Sequence, residues 1–293
     1  LRETRPHLFS DSVVFVGHRH MQHMAELVAA MEEIVALPAW QERVLGWAPA
    51  SASHTSAARG VFLGYDFHIG DDGPKLIEIN TNAGGGLLNA RLARAQRACC
   101  DPVARLMPRP GSVEASFVAM FREEWRLADG KHPLQRIAIV DERPAEQFLA
   151  PEFELFRQLF EADGMAAVIA DPGEFVWDGS QLLHGGQIVD LVYNRLTDFS
   201  LDDPANAALR AAWEQGAAVI TPHPRSHALY ADKRNLVALG DSAWLADIGV
   251  PAEVRQLIAD LVPVTVAVTA AEAERFWAER KRWFFKPAAG YGS

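Results

Sequence analysis

Gly64-Tyr-Asp66-Phe-His68-Ile-Gly70-Asp-Asp-Gly73-Pro-Lys75-Leu-Ile-Glu78-Ile-Asn80 reads as two strands joined by a turn. Val61 to Ile69 is strand-like, Gly70 to Pro74 carries turn chemistry, and Lys75 to Asn80 forms the second strand. Alternation places Gly64, Asp66 and His68 on one face of the first strand, and Leu76, Glu78 and Asn80 on one face of the second. A five-residue turn at 70–74 puts Asp66 opposite Glu78, with Cβ atoms about 5 Å apart. Two carboxylates this close repel unless a cation or a proton lies between them. Asp66, Glu78 and Asn80 supply the hard oxygen donors that Mg²⁺ accepts. The competing reading is a solvated polar hairpin face.

The chain continues as Asn80-Thr-Asn82-Ala-Gly84-Gly85-Gly86, a run with little side-chain bulk. It is expected to expose backbone N–H groups to an anionic ligand. Before the hairpin, Met21, Met24, Leu27, Val28, Met31, Ile34 and Val35 keep helical spacing, and 49–58 reads as loop. After it, Leu87 to Cys100 and Glu114 to Leu127 read as helices, with Pro108 to Ser112 as a linker. From Gly130 onward strands and helices alternate. Strands are expected at Arg136–Asp141, Met165–Ala170, Asp190–Asn194 and Ala217–Thr221, and helices at Pro151–Asp163 and Pro204–Gln215. This is the pattern of a parallel sheet with crossover helices. The remainder reads as helix at Ala231–Leu239, strand at Val262–Val268, helix at Ala270–Arg280 and strand at Trp283–Lys286.

The chain has 293 residues, 49% hydrophobic and 23% charged, which excludes a disordered or low-complexity protein. Its length suggests roughly two domains. No apolar run approaches a membrane span. A net charge of −10 offers little for nucleic acid. Adjacent Cys99 and Cys100 suit neither a disulfide nor a metal site, so a reduced, cytoplasmic protein is expected. The sequence stops within Lys286-Pro-Ala-Ala-Gly-Tyr-Gly-Ser293, and part of the C-terminal region is expected to be missing.

Other candidates are weaker. Lys286 precedes Gly290-Tyr291-Gly292-Ser293, where a lysine and a glycine loop could hold phosphates, although a plain turn reads as well. Asn194-Arg195 ends a strand, where α/β folds collect ligands, and Arg195 could bind a carboxylate or pair locally with Asp198. Lys233 reads by default as a surface lysine. His18, His20 and His23 lack a completing ligand for a metal, and His223 and His227 suit a structural or pocket-lining role.

Asp66, then Glu78-Ile-Asn80 and Ala83-Gly-Gly-Gly86, with Lys233 and Lys286 downstream, resembles the ATP-grasp superfamily. The Glu-x-Asn motif stands before the α/β domain and both lysines, so the order is similar to the circularly permuted branch. That branch includes the eukaryotic-type glutathione synthetases and, more loosely, the glutathionylspermidine synthetases. Glu78-Ile-Asn-Thr81, Asn194-Arg195, Ala231-Asp-Lys233-Arg and Lys286-Pro precede one another as the family's motifs do. Departures are Gly64 where the synthetases carry arginine, Ala83 and Gly85 where they carry serines, and no acid between Lys286 and Ser293.

The resemblance implies an α/β protein with α+β elements, a permuted ATP-grasp carrying an inserted parallel-sheet substrate domain. Its expected parts are 1–134 (N-terminal helices and metal hairpin), 135–224 (substrate domain) and 225–293 (nucleotide-binding part). It implies ATP and Mg²⁺ as cofactors and a carboxylate–amine or carboxylate–thiol ligase working through an acyl phosphate. Asp66, Glu78 and Asn80 would hold the metal, and Lys233, Lys286, Gly290, Tyr291, Gly292 and Ser293 the nucleotide. Arg195, as the catalytic residue, would hold the acceptor carboxylate or steady the tetrahedral intermediate, and Asn82, Gly84, Gly85, Asn194 and Asp198 would meet the substrate. The partner would be a small-molecule or peptide-like substrate, with no nucleic acid and no membrane, and a homodimer is allowed. A phosphotransferase and a non-catalytic ATP-grasp-like binding module are the alternatives.

Overall fold

The computed structural model describes residues 5–10, 14–99, 113–128 and 132–289. Cys100, the linker at 108–112 and the Gly290 to Ser293 loop lie outside the described residues. In chain order, helices α1 (His18–Ala36) and α2 (Pro38–Leu45) precede the hairpin strands β1 (Gly64–Gly70) and β2 (Gly73–Asn80). Helices α3 (Gly86–Cys99) and α4 (Val113–Ala128) lead to β3 (Arg136–Val140), α5 (Ala150–Ala162) and β4 (Ala166–Ala170). Short strands β5 (Phe175–Trp177), β6 (Leu182–His184) and β7 (Gln187–Ile188) come before β8 (Leu191–Asn194), α6 (Ala207–Glu214) and β9 (Val219–Thr221). Helices α7 (Pro224–Tyr230), α8 (Arg234–Leu239), α9 (Ser242–Asp247), α10 (Ala252–Leu261) and α11 (Ala273–Ala278) follow. The chain forms two units, each assembled from separate stretches. Unit 1 is Leu1–Val14, His54–Leu63 and Asn82–Pro224, and unit 2 is Phe15–Ser53, Gly64–Thr81 and Arg225–Ser293.

Unit 1 is built on a parallel sheet of order β4-β3-β8-β9, with helices on both faces. Strand β3 reads Arg-Ile-Ala-Ile-Val, a run without polar alternation, because both of its faces are covered. Ile137 and Ile139 pack with Phe121 of α4 and Phe153, Phe156 and Phe160 of α5. The alternate residues Ala138 and Val140 pack with Leu209, Ala212 and Trp213 of α6. Glu124 of α4 is buried, and its carboxylate is satisfied by the N–H groups of Arg59 (2.8 Å) and Gly60 (2.9 Å) and the Thr221 hydroxyl (2.6 Å). An antiparallel sheet of order β5-β6-β7, unexpected from the sequence, follows β4.

Unit 2 packs α1, α2, α8, α9 and α10 around one face of the hairpin. Leu27, Met31 and Ile34 form the buried stripe of α1 and meet Trp40, Leu76, Ile79, Leu239 and Ile258. Met21, expected in that stripe, is exposed. The hairpin is antiparallel with Asp66 opposite Glu78, as expected, but the route to that pairing differs. Gly70 pairs with Gly73, so the turn has Asp71 and Asp72 alone at its tip. A regular ladder from so tight a turn would place Asp66 opposite Ile77. A bulge between Asp66 and Phe67 absorbs Ile77 and moves the register by one residue. The bulge also corrects the expected faces. Leu76 does not share a face with Glu78 and Asn80. It is fully buried beside Ile79, while Ile77 is exposed.

Other readings are also revised. Val262–Val268 and Trp283–Lys286 are not strands. A strand needs a ladder partner, these have none among the described residues, and Val264 is exposed. The helix expected at Ala231–Leu239 starts at Arg234, with Lys233 as its N-cap. Among the described residues no helix is long and apolar enough to cross a membrane.

Candidate functional site

Five of the residues singled out in the sequence meet in unit 2. The bulge turns Asp66, Glu78 and Asn80 away from the core. The Asn80 amide donates to Asp66 Oδ2 at 3.0 Å and to Glu78 Oε1 at 3.2 Å. Lys286 Nζ donates to Glu78 Oε2 at 2.8 Å, and Lys233 Nζ lies 3.9 Å from the same oxygen. The Lys233 backbone N–H donates to Ala288 O at 2.9 Å, which pins the stretch after Lys286 against the start of α8.

The electrostatics follow from this arrangement. Burial first, then the Glu78 charge, raises the Asp66 carboxyl above its ordinary value, against Lys286 and the Asn80 hydrogen bond. Burial also pushes Glu78 up, but hydrogen bonds from Lys286 and Asn80 and the charges of both lysines outweigh it and hold Glu78 below its ordinary value. Below the hairpin, His227 Nδ1 lies 3.1 Å from Thr81 Oγ1. Burial lowers the His227 imidazole to about 4, with Asp232 opposing and Lys233 adding to the effect, so the ring is neutral near pH 7.

A second cluster lies in unit 1, at the carboxyl ends of β3 and β8. Arg195 follows β8 and is only 7% exposed. Its backbone N–H donates to Val140 O at 2.8 Å, and its Nη1 donates to Asn82 O and, at 3.1 Å, to Ala83 O. Arg195 Nε is buried without a hydrogen-bond partner among the described residues. Asp141, at the end of β3, is pushed up to about 6 by burial, against the Glu142 N–H and the Arg195 charge.

The glycine run is organised differently from the expected anion cradle. The N–H groups of Gly85 (2.6 Å) and Leu87 (2.9 Å) donate to Glu152, a buried carboxylate in the first turn of α5. Each glycine has a steric reason. A Cβ on Gly84 would meet Leu149 Cδ1 at 2.4 Å and Arg195 Nη2 at 2.7 Å. Gly85 has φ +92°, and a Cβ on Gly86 would press on the rings of Phe117 and Phe62. Asn82 donates to Leu196 O at 3.3 Å. Asn194 donates to Pro222 O (3.1 Å) and accepts from Leu196 N–H (3.0 Å). Asp198 accepts from Ser200 Oγ (3.0 Å), Asp203 N–H (2.8 Å) and Asn206 Nδ2 (2.8 Å), so its partners are local and do not include Arg195.

Asp141 and Glu152 are absent from the candidates read in the sequence. An acid in a first helical turn and an acid after a strand are both commonplace, and only the fold shows what they touch. His18, His20 and His23 form no metal cluster: no group of three or more His, Cys, Asp or Glu side chains suited to a metal occurs among the described residues.

No protein-family model matches the chain, and no curated protein does. Among solved structures it is similar to a glutathione synthetase-like effector of Globodera pallida in its apo form. The TM-score is 0.61 at 14% identity, over 84% of this chain. The chain has a glutathione synthetase-like fold. It spans 61% of that protein's length. At this identity the glutathione synthetase-like fold is what the two share.

Proposed function

We propose that the chain is a circularly permuted ATP-grasp protein and acts as an ATP-dependent carboxylate–amine or carboxylate–thiol ligase. The observation that carries this is the unit 2 cluster, in which Asp66, Glu78 and Asn80 share one hairpin face with Lys233 and Lys286 against it. The donor set fits Mg²⁺. It offers two carboxylates and an amide that can turn its oxygen inward, and the Lys286 ammonium already stands as a cation on Glu78. The Mg²⁺ these three residues would hold offsets phosphate charge when bound. Lys233 and Lys286 would hold the ATP phosphates. Arg195 would orient a carboxylate in unit 1, its free Nε giving it capacity beyond the turn carbonyls.

The reaction would proceed by attack of a substrate carboxylate on the γ-phosphorus, releasing ADP and leaving an acyl phosphate. An amine or thiol would then attack the acyl carbon, forming the C–N or C–S bond as the acyl C–O bond breaks, with phosphate leaving and the nucleophile's proton passing to solvent. The chain's contribution is positioning and charge compensation. Glu78→Ala should abolish the thermal shift induced by Mg-ATP and ADP release with a panel of amines and carboxylates, while leaving the ligand-free melting point close to that of the parent. ADP release at the parent rate in Glu78→Ala would overturn the assignment, and a phosphorylated product without free phosphate would indicate a phosphotransferase.

The absence of a third acidic ligand among the described residues favours a second reading, a binding module that retains the fold without turnover. It predicts no thermal shift with Mg-ATP.

A further inference from the structure

We propose that Lys286 is a built-in cation that closes the Asp66–Glu78 pair to free divalent metal, so that metal and nucleotide enter this site together. The proposal rests on the Mg-ATP reading of the cluster and concerns how that site is regulated. Without ligands the charges already cancel: two carboxylates face two ammoniums. Lys286 Nζ is 2.8 Å from Glu78 Oε2, and Lys233 Nζ is 3.9 Å from it. One oxygen of Asp66 and the second oxygen of Glu78 are engaged as well, because the Asn80 amide donates to Asp66 Oδ2 and Glu78 Oε1.

Lys286 is held by its backbone as well as by its charge, through the Lys233 N–H to Ala288 O hydrogen bond two residues on. Its side chain is 20% exposed, unlike an ordinary surface lysine. A divalent metal entering alone must displace the Lys286 ammonium from Glu78, turn the Asn80 amide to present its oxygen, and sit beside two like charges. A triphosphate changes each of these conditions. It offers the ammoniums new oxygens, releases Glu78, and adds negative charge where the metal arrives. Nucleotide without metal is disfavoured for the complementary reason, since withdrawing Lys286 leaves two facing carboxylates uncompensated.

The test uses Mn²⁺ as the probe, with bound metal counted by electron paramagnetic resonance in the absence of nucleotide. The parent should bind Mn²⁺ weakly. Lys286→Met should bind at least about tenfold more tightly, and Lys286→Arg, which keeps the charge, should stay within about threefold of the parent. Adding Glu78→Gln to Lys286→Met should remove the gain, which places the metal on the hairpin. Circular dichroism shows whether each variant is folded. If folded Lys286→Met binds Mn²⁺ no more tightly than the parent, while the parent still shows a thermal shift with Mg²⁺ and a non-hydrolysable ATP analogue, the proposal is overturned and the Mg-ATP reading stands. If the parent shows no such shift, both are overturned.

Discussion

Glu152→Gln isolates what the buried carboxylate contributes, because the substitution preserves volume and shape and removes only the charge and one acceptor. Glu152 is 1% exposed and accepts from Gly85 N–H at 2.6 Å and Leu87 N–H at 2.9 Å. Helix α3 begins at Gly86, so both donors belong to the unpaired amides of its N-terminus. Glutamine keeps one carbonyl oxygen and turns an NH₂ group toward the other donor. The buried donor left unsatisfied costs about 1–3 kcal/mol. Loss of a negative charge at a helix N-terminus adds about 0.3–2 kcal/mol. The expected destabilisation is therefore roughly 3 kcal/mol, with no cavity contribution. Urea unfolding followed by tryptophan fluorescence measures the total, and hydrogen exchange over 82–90 locates it. Protection of the Gly85 and Leu87 amides should fall on the order of a hundredfold. Stability within about 0.5 kcal/mol of the parent together with unchanged exchange at these amides would refute the claim that this carboxylate fixes the turn.

Two further predictions concern pH and have opposite signs. His227 has its folded pKa lowered to about 4 from 6.5, so the unfolded chain takes up the proton first as pH falls. Its contribution, up to about 3 kcal/mol, is present above pH 6.5 and lost between there and pH 4, and the pH dependence of stability measured by urea unfolding should flatten by about that amount in His227→Gln. Asp141 has its folded pKa raised to about 6 from 3.8, so the folded chain holds the proton more tightly. Its contribution is present below pH 3.8 and lost as pH rises through 6. Asp141→Asn should therefore stabilise the protein at pH 7.5 by about 1 kcal/mol, after discounting for its partial exposure. A destabilised Asp141→Asn at that pH, measured by urea unfolding, would contradict the burial argument.

Unit 1 was legible because its physics is local. Strands β3 and β8 are short apolar runs followed by helices, and the expected boundaries fall within about three residues of the observed ones, the largest gap being the start of α6. Strands β5 to β7 carry no readable pattern because each has two or three residues, too few for any period to appear. Helices α9 and α10 were not expected from the sequence, although both carry local start signals. Asp241 caps α9 by accepting from Trp244 N–H at 3.1 Å, and Pro251 precedes α10. Val262–Val268 shows the limit of periodicity: alternating valines describe a face, but strand formation requires a neighbour that the pattern does not supply.

The candidate sites divide along the same line. Glu78 and Asn80 are two apart on one strand, so their shared face could be read directly. The lysines come from stretches about fifty residues apart, and only their order in the chain suggested that they belong together. Glu152 and Asp141 become informative only through long-range contacts, to α3 and to Arg195.

The hairpin shows most clearly why a correct pairing is not a correct structure. A five-residue turn with a regular ladder and a two-residue turn with a bulge both set Asp66 opposite Glu78. They differ in where Leu76 goes. In the regular ladder Leu76 stands beside Glu78 on the polar face, and the core loses a leucine. In the bulged one, strand β2 can send Leu76 and Ile79, three residues apart, into the same core and still present Glu78 and Asn80 outward. Leu76 is fully buried, so the bulge reconciles a buried apolar face with an acidic one on a strand where simple alternation would have mixed them.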